Sequence, residues 1–311
     1  MEFQLSREAL LRVLNHVSSI VDSRSTISIL SNLYIKCENN QIEIRSTDMD
    51  ISIKEFVSAD STKNGEATVN ARIFTDIIRK TKKNTIIKLK NEGNRLTINS
   101  ENSVFELNSL SAEEFPKFVP LDKENSFELN VEQIKKIFTK TKFAISSEET
   151  RYYLNGVYFH TVKSDEKNIL KAVATDGHRL AKTELVISSS IEIKGIILPR
   201  KFILQLDKIL GDFEGKIKIV CSETQVSFEA DNFVIISKLI DGKFPDYEKV
   251  IPISNDKFLE VESEPFFNAI DRISTVNQDK TPTVKLAFDN NSIKIMASST
   301  ESNKGDEEVP A

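Results

Sequence analysis

Residues 171–181 have the sequence KAVATDGHRLA, in which Asp176-Gly177 interrupts an apolar, β-prone run and a second extended run follows. Asp-Gly between two such runs is a strong turn signal, so the pattern predicts a hairpin with residues 177–179 exposed at a strand end. Binding surfaces are usually displayed at such ends. The segment therefore predicts an exposed functional turn between two strands.

The turn has two interpretations. Asp176 and His178 lie two residues apart, and a carboxylate can orient an imidazole for proton transfer in a hydrolase. That chemistry also needs a nucleophile, and the sequence contains no Gly-x-Ser-x-Gly motif. The commoner alternative is a turn in which Asp176 caps neighbouring backbone groups.

The chain has 311 residues, of which 39% are hydrophobic, and this predicts a globular protein of two or three domains. No apolar run approaches the roughly 18 residues that span a bilayer, and the N-terminus lacks signal-peptide features, so we expect a cytoplasmic protein. Cys37 and Cys221 lie in apolar, strand-like segments, which favours two buried free thiols. With three His and no Cys cluster, the sequence predicts no metal site and no cofactor.

The charges are sorted unevenly along the chain. The net charge of −5 argues against simple electrostatic adhesion to nucleic acid. However, four helix-like segments, 7–20, 70–83, 132–142 and 199–210, carry 14 Lys and Arg against four Asp and Glu, a sum of +10 in a chain of −5. This sorting suits basic helices that face one polyanion, and solvated lysine-rich helix faces are the simpler alternative.

The sequence repeats itself at an offset near 128 residues. The matching pairs are Ala71–Phe74 with Pro199–Phe202, Thr47-Asp48 with Thr175-Asp176, and Phe115-Pro116 with Phe244-Pro245. Nearer the start the offset is 124, which fits a longer hairpin loop at 163–168. A third copy begins at Phe258. The repeat predicts domains at 1–122, 123–254 and 255–311.

Each full copy has two halves, and each half has a strand, an amphipathic helix and then several strands. Alternating apolar residues predict strands at Leu33–Lys36, Ile42–Ser46, Ile51–Phe56, Ile86–Lys90, Arg95–Asn99, Val104–Leu107, Lys216–Cys221, Gln225–Ala230, Phe233–Lys238, Val284–Phe288 and Ser292–Ala297. The third copy has a helix at Pro265–Ile273 and contains only the first half. We expect it to expose apolar helix and sheet faces.

Four strings, spaced by the repeat, resemble one known family. They are Arg151-Tyr152-Tyr153-Leu154-Asn155-Gly156, Ala174–Leu180, Pro199-Arg200-Lys201 and Asp241–Tyr247. With them the chain resembles, over its whole length, the bacterial sliding clamps, the β subunit of DNA polymerase III. The resemblance implies an α+β fold of repeated clamp domains, with antiparallel sheets outside and basic helices inside.

The resemblance also implies a processivity factor rather than an enzyme. Clamps of this family close head to tail as a homodimeric ring around duplex DNA and tether the replicative polymerase. The implied partners are duplex DNA, the polymerase III alpha subunit, the clamp loader and repair polymerases, which bind through short apolar peptides. No cofactor or membrane is implied.

A DNA-facing surface is predicted from the charge sorting on the helices and, for Arg24, Tyr152 and Tyr153, from positions that match DNA-contacting ones in the family. Its residues are Arg24, Arg72, Arg79, Lys80, Lys136, Lys140, Tyr152, Tyr153, Arg200 and Lys201. A ring that slides needs only weak, salt-dependent contacts that do not depend on base sequence. For the two tyrosines, a cross-strand aromatic pair is the alternative.

A partner-peptide pocket is implied between the second and third domains. Its residues are Leu154, Thr175, Gly177, His178, Arg179, Leu180, Pro245, Lys249 and Val250. Gly177 allows a close backbone approach, and Leu180 and Val250 supply apolar walls. Ordinary core positions are the alternative for Leu180 and Val250.

The implied dimer edge comprises Phe105, Leu107, Ser274 and Thr275. Relatives finish the third domain with a second half and an apolar tail beyond the position of Ala311, so we expect weaker peptide binding and a monomer or a loose, aggregation-prone dimer. Two alternatives to the ring-forming clamp remain. One is a non-encircling scaffold that recruits replication or repair proteins through the pocket, and the other is the hydrolase.

Overall fold

The computed structural model describes residues 1–22, 26–121, 125–164, 167–187, 191–277, 283–289, 291–300 and 302–311. These residues form two compact units, Met1–Pro245 and Asp246–Ala311. Within the described ranges, no helix is both long enough and apolar enough to cross a membrane.

The first copy in the sequence consists of two strand–helix–strands halves. Its elements are β1 (Glu2–Ser6), α1 (Arg7–Val17), β2 (Asn32–Glu38), β3 (Gln41–Thr47), β4 (Ile51–Ser58), β5 (Asp60–Lys63), β6 (Gly65–Asn70), α2 (Ala71–Lys80), β7 (Ile86–Glu92), β8 (Arg95–Ser100) and β9 (Ser103–Asn108). Both helices begin at polar caps, because Ser6 Oγ accepts the Ala9 N–H at 3.2 Å and Asn70 Oδ1 accepts the Ile73 N–H at 3.1 Å.

The second copy has the same order of elements, except that its described residues form no counterpart of β5. Its elements are β10 (Ser126–Asn130), α3 (Val131–Thr141), β11 (Gly156–Ser164), β12 (Lys167–Thr175), β13 (Leu180–Ile187), β14 (Ile196–Pro199), α4 (Arg200–Leu210), β15 (Lys216–Cys221), β16 (Gln225–Ala230) and β17 (Phe233–Lys238). The bounds predicted for β15, β16 and β17 are confirmed. β5 and β14 have four residues each, too few to show an alternating pattern in the sequence.

The two copies share one antiparallel sheet of eight strands, in the order β10-β15-β16-β17-β4-β3-β2-β6. The seam between the copies is the pairing of β17 with β4, where Phe233 lies opposite Glu55. A five-stranded sheet, β5-β1-β7-β8-β9, belongs to the first copy, and a four-stranded sheet, β13-β12-β11-β14, belongs to the second. The expected antiparallel sheets are confirmed.

The four helices of this unit pack in one layer. α1 contacts both α2 and α4, and α4 also contacts α3, which gives the order α2-α1-α4-α3. Their apolar sides are buried with the sheets in one core, which includes Phe74, Phe138 and Phe202. The core therefore extends through both copies without interruption.

Two helices end about three residues earlier than predicted. After α1, Ser19 Oγ donates to the His16 carbonyl oxygen at 2.6 Å, and after α2, Thr81 Oγ1 donates to the Ile77 carbonyl oxygen at 2.9 Å. Hydroxyl groups that bond the last turn compete with further helical hydrogen bonds. Cys37 and Cys221 are buried free thiols as predicted, and burial raises the pKa of both, that of Cys221 to about 12.

The second unit is small. It contains α5 (Ser263–Ser274), β18 (Lys285–Phe288), β19 (Ser292–Ser298) and β20 (Lys304–Pro310), and the three strands form one antiparallel sheet. Its core is centred on Ala269, Ile293 and Ile295. Phe258, Phe267 and Phe288 are 90, 66 and 63% exposed, which matches the expectation of exposed apolar faces. β20 is acidic and lacks apolar alternation, so the sequence does not predict it.

Candidate functional site

The cationic residues of the predicted DNA surface lie on the solvent sides of α2, α3 and α4. They are Arg72, Arg79, Lys80, Lys136, Lys140, Arg200 and Lys201, and each is exposed. The opposite sides of the helices are apolar and buried, for example at Ile78 of α2 and Ile134 of α3. Because the helices pack in one layer, the solvent sides of neighbouring helices adjoin each other.

Most of these cations are free to meet an external anion. Arg79 Nη1 donates to Asp76 Oδ1 at 3.0 Å, and Lys201 Nζ donates to the Asp48 carboxylate. The other five form no ion pair with a described residue. An anion that binds this surface therefore has to displace few existing ion pairs.

Arg7 is an exception among the cations of the four helix-like segments. Its side chain is buried, Nε donates to the Ile78 carbonyl oxygen at 3.1 Å, and Nη2 donates to the Arg79 carbonyl oxygen at 2.7 Å. These carbonyl groups end α2, where helical partners are lacking. Arg7 therefore counts toward the charge sum of segment 7–20 without belonging to the exposed cationic surface, because its side chain joins α1 to the end of α2.

Tyr152 and Tyr153 lie on a short 3₁₀ helix, Glu149–Leu154, and their rings meet edge to face with centroids 5.8 Å apart. The alternative of a cross-strand pair is wrong, because the two residues are neighbours on one turn of helix. Tyr152 is 54% exposed and lines a cavity of about 570 Å³ together with Arg200 and Lys201. Arg24 lies outside the described residues.

The turn between β12 and β13 is built by Thr175 and Asp176. Thr175 Oγ1 accepts the Gly177 N–H at 3.1 Å and donates to the Arg179 carbonyl oxygen at 2.8 Å. Asp176 Oδ1 accepts the N–H groups of His178 and Arg179, each at 3.0 Å. The predicted capping role of Asp176 is confirmed, and the Thr175 hydroxyl is occupied by the turn rather than free for a partner.

No Asp–His dyad forms at this turn. Asp176 Oδ2 accepts from Arg179 Nε at 3.0 Å, and among the described contacts none joins the carboxylate to the His178 imidazole. Partial burial acts to raise the pKa of Asp176, but the N–H groups of Arg179 and His178 and the Arg179 guanidinium outweigh it and lower that pKa to about 2. The carboxylate is a fixed anion that shapes the turn, and the geometry removes the basis for the hydrolase.

Gly177 has two reasons to be glycine. Its φ is +88°, in the left-handed region, and a Cβ here would collide with the guanidinium of Arg151. Arg151 is held in place by Glu148, whose carboxylate accepts from Nε at 2.9 Å and from Nη2 at 2.6 Å. The Arg179 guanidinium also lies 5.7 Å from the centroid of the Phe143 ring.

Sequence reasoning missed three residues that surround this turn. Arg151 could have been found from the sequence, because it is the first residue of the string at 151–156. Nothing in the sequence singled out Glu148 or Phe143. Phe143 is 55% exposed although it is aromatic. Together these residues form one wall beside the exposed Gly177, His178 and Arg179.

The remaining predicted pocket residues fall in both units. In the first, Leu154 is buried, Leu180 is half-buried and Pro245 is exposed. In the second, Lys249 Nζ pairs with Asp246 Oδ2 at 2.9 Å and Val250 is 69% exposed. The alternative that Val250 is an ordinary core residue is wrong.

The predicted dimer-edge residues also fall in both units. Phe105 and Leu107 lie on β9, the last strand of the five-stranded sheet, beside a cavity of about 460 Å³ lined by Ile73 and Phe105. Ser274 is the last residue of α5, and Thr275 Oγ1 donates to the Arg272 carbonyl oxygen at 2.6 Å. Among the described residues, no group of His, Cys, Asp and Glu could hold a metal ion.

Comparisons with known proteins match the chain throughout. Family models of the DNA polymerase III beta subunit match residues 1–119 (N-terminal domain), 128–246 (central domain) and 248–311 (C-terminal domain). The beta sliding clamps of Caulobacter vibrioides and Haemophilus influenzae are 36 and 33% identical to it, and each match covers 99% of this chain and 84% of the relative. The solved DnaN sliding clamp of Bartonella birtlesii, bound to griselimycin, has a TM-score of 0.92 at 36% identity, covering 100% of this chain and 84% of that chain. The chain belongs to the DNA polymerase III beta subunit family, the bacterial beta sliding clamps.

Proposed function

We propose that this sliding clamp carries duplex DNA against the solvent sides of its helix layer while it tethers a DNA polymerase. The observation that carries the proposal is the concentration of exposed, mostly unpaired cations on one layer of helices in a chain of net charge −5. Phosphates attract such cations whatever the base sequence. A protein that follows replicating bacterial DNA works in the cytoplasm, which we propose as its location.

The charge balance suits sliding. Five unpaired cations give weak, mobile phosphate contacts, and the acidic remainder of the chain disfavours binding elsewhere on the surface. Tyr152 adds a ring that can lie against a sugar, a backbone or an unstacked base, because its cavity also contains two cations. The affinity of the chain for DNA that it does not encircle should therefore be low and steeply dependent on salt.

The test compares lysines on helices with lysines on strands. Binding of a fluorescent duplex is measured by anisotropy between low and moderate salt for the parent chain, for Lys136→Ala/Lys140→Ala, and for the control Lys63→Ala/Lys88→Ala on β5 and β7. Each lost phosphate contact lowers the salt slope by about 1, so we expect a change of about 2 for the helix pair and none for the control. Equal effects of the two pairs would contradict the DNA surface.

The turn at 175–180 is the proposed site for the apolar peptide of a partner. Leu180 supplies an apolar wall, Gly177 leaves backbone accessible, and the terminal N–H groups of Arg179 can donate to a carbonyl oxygen of the peptide. Truncating a contacting leucine costs about 1–2 kcal/mol, which corresponds to roughly 5–30-fold in affinity.

The peptide site is tested by titrating a Leu- and Phe-bearing clamp-binding peptide from a polymerase. We expect Leu180→Ala to weaken binding, whereas Val186→Ala, at the 57% exposed position farther along β13, leaves it unchanged. If Leu180→Ala binds as tightly as the parent chain, the peptide does not use this turn. Lys249 and Val250 remain predicted members of the site.

We also propose that β9 pairs with a second copy of the chain. Its counterpart in the second copy of the repeat, β17, pairs with β4 inside the chain, so β9 offers the same kind of strand edge to an outside strand. Phe105 on this edge is 37% exposed. Light scattering across concentrations should give a mass that rises above 35.2 kDa, and Phe105→Asp should hold it at 35.2 kDa. A concentration-independent 35.2 kDa for the parent chain would contradict the pairing.

A further inference from the structure

His16 lies where the two copies meet, with a carboxylate on each side of its ring. Nδ1 is 2.9 Å from Glu55 Oε2, and Nε2 is 3.0 Å from Asp212 Oδ2. His16 belongs to α1 and Glu55 to β4, both in the first copy, whereas Asp212 follows α4 of the second. The imidazole therefore connects the two copies, beside the β17–β4 seam.

The two contacts fix the number of protons in this cluster. An ionised carboxylate only accepts, so each contact needs a proton, carried by the ring nitrogen or by the carboxyl oxygen. A neutral imidazole beside two ionised carboxylates has one proton and can satisfy only one contact. Both contacts can be hydrogen bonds only when the cluster carries one proton more than that neutral state.

Burial makes the extra proton important. His16 and Glu55 are 2 and 0% exposed, and the second carboxyl oxygen of Glu55, Oε1, is buried with no hydrogen-bond partner among the described residues. The Phe213 ring lies 6.0 Å from the imidazole. Without the extra proton, the neutral imidazole can still donate to Glu55, but this buried carboxylate then has no positive charge beside it, which disfavours the closed arrangement.

The other groups around this part of α1 do not replace that proton. Lys208 of α4 donates to the Asn15 carbonyl oxygen at 3.0 Å, and Arg12 is exposed one turn before His16. Arg7 is engaged with the end of α2. The elements β1, β3 and α2 present apolar or hydroxyl side chains to the helix, among them Phe3, Leu5, Ile42, Ile44, Ser46 and Thr75.

We propose that His16, Glu55 and Asp212 form a proton-dependent latch between the first and second copies of the clamp repeat. The bridging proton closes the latch, and its loss at rising pH opens it. Asp212 separates first, because its side chain is 54% exposed while Glu55 is enclosed.

The test is urea unfolding of the full chain between pH 5.5 and 8.5, comparing the parent with His16→Gln, which cannot carry the extra proton. Where the folded chain holds one proton more than the unfolded chain, the unfolding constant rises up to about 10-fold per pH unit. We expect this rise in the parent and in the control His178→Gln, at an exposed histidine, and a flatter profile in His16→Gln. Parallel profiles for the parent and His16→Gln would overturn the latch.

A second variant covers the case in which His16→Gln does not fold. Asp212→Asn removes one negative charge at a half-exposed position and keeps an oxygen that can accept from Nε2. The folded chain then holds the proton less tightly, so we expect the rise in the unfolding constant to end at a lower pH than in the parent. An unshifted profile in Asp212→Asn would also overturn the latch.

Discussion

The turn at 47–51 in the first copy and the turn at 175–180 in the second are built by the same hydrogen bonds. Thr47 Oγ1 accepts the Met49 N–H at 3.0 Å and donates to the Ile51 carbonyl oxygen at 2.9 Å. Asp48 Oδ1 accepts the N–H groups of Asp50 at 3.0 Å and Ile51 at 2.7 Å. These bonds repeat those of Thr175 and Asp176, so in both copies the Thr-Asp pair is scaffold.

The two turns differ in their surroundings. Asp48 pairs with Lys201 of α4, and Asp50 pairs with Lys238 of β17 at 3.1 Å, so the first turn is tied to the second copy. In the second turn, Asp176 folds back onto Arg179, and residues 177–179 stay exposed. The difference teaches that the residues after Thr-Asp, rather than the shared pair, distinguish a structural turn from a candidate binding turn.

The largest expected effect is that of Gly177→Ala. An L-residue in the left-handed region costs about 1–2 kcal/mol, and here the collision with Arg151 adds to it. We expect Gly177→Ala to lower the free energy of urea unfolding by more than Gly93→Ala, since Gly93 also has positive φ, at +58°, but open space around a Cβ. Equal losses would show that Arg151 does not constrain the turn.

Protonation of Asp176 at low pH should lower the free energy of unfolding by less than Gly177→Ala does. Its pKa is lowered to about 2 from 3.8, so its stabilising contribution is complete above pH 3.8 and is lost as the pH falls through 2. Water reaches one side of the carboxylate, which limits the contribution to about 1 kcal/mol. Between pH 6 and pH 2, the unfolding free energy should fall by about 1 kcal/mol more in the parent than in Asp176→Asn. The same loss in both would mean that another group titrates.

Met49→Gly should stabilise the first turn. Met49 has a φ of +76°, which is unfavourable for any residue other than glycine, so the substitution removes this backbone strain. Glycine also increases the entropy of the unfolded chain, which offsets part of the gain and leaves a net stabilisation of about 0.5–1 kcal/mol. Met49→Ala keeps the backbone cost and serves as the control near zero. Thermal unfolding measures both, and a destabilised Met49→Gly would show that the 53% exposed Met49 side chain makes contacts that matter.

The smallest effect is expected for Lys238→Ala. Its ion pair with Asp50 is exposed on both sides and contributes less than about 0.5 kcal/mol. Lys201→Ala should cost more in the same unfolding measurement, since the Asp48 side chain is only 8% exposed and loses its partner. Reversal of this order would mean that the first turn is tied down chiefly through Asp50.

Much of the fold was accessible from the sequence because it is local. Alternation predicted the strands from β2 to β4 and from β15 to β17, and the repeat aligned Thr47-Asp48 with Thr175-Asp176. Local periodicity does not specify partners between copies. The β17–β4 seam therefore had no signal, since each strand shows only that it is buried.

The candidate site was harder to predict from the sequence, because it depends on which groups the ends of long side chains contact. The charge count of segment 7–20 includes Arg7, yet its guanidinium reaches the end of another helix. The Thr175 hydroxyl is occupied by its own turn, and Glu148 acts only through Arg151. Such roles depend on contacts across the fold, which residue types and spacing do not encode.

The pairing of β17 with β4 makes the two copies a single cooperative unit. Separating them would leave two unpaired strand edges and divide one continuous apolar core, so a state with one copy folded and the other unfolded is strongly disfavoured. Residues 1–245 should therefore melt in one calorimetric transition, with van't Hoff and calorimetric enthalpies that agree, although the sequence within them is duplicated. The two copies of the repeat are therefore expected to unfold together and not as two independent domains.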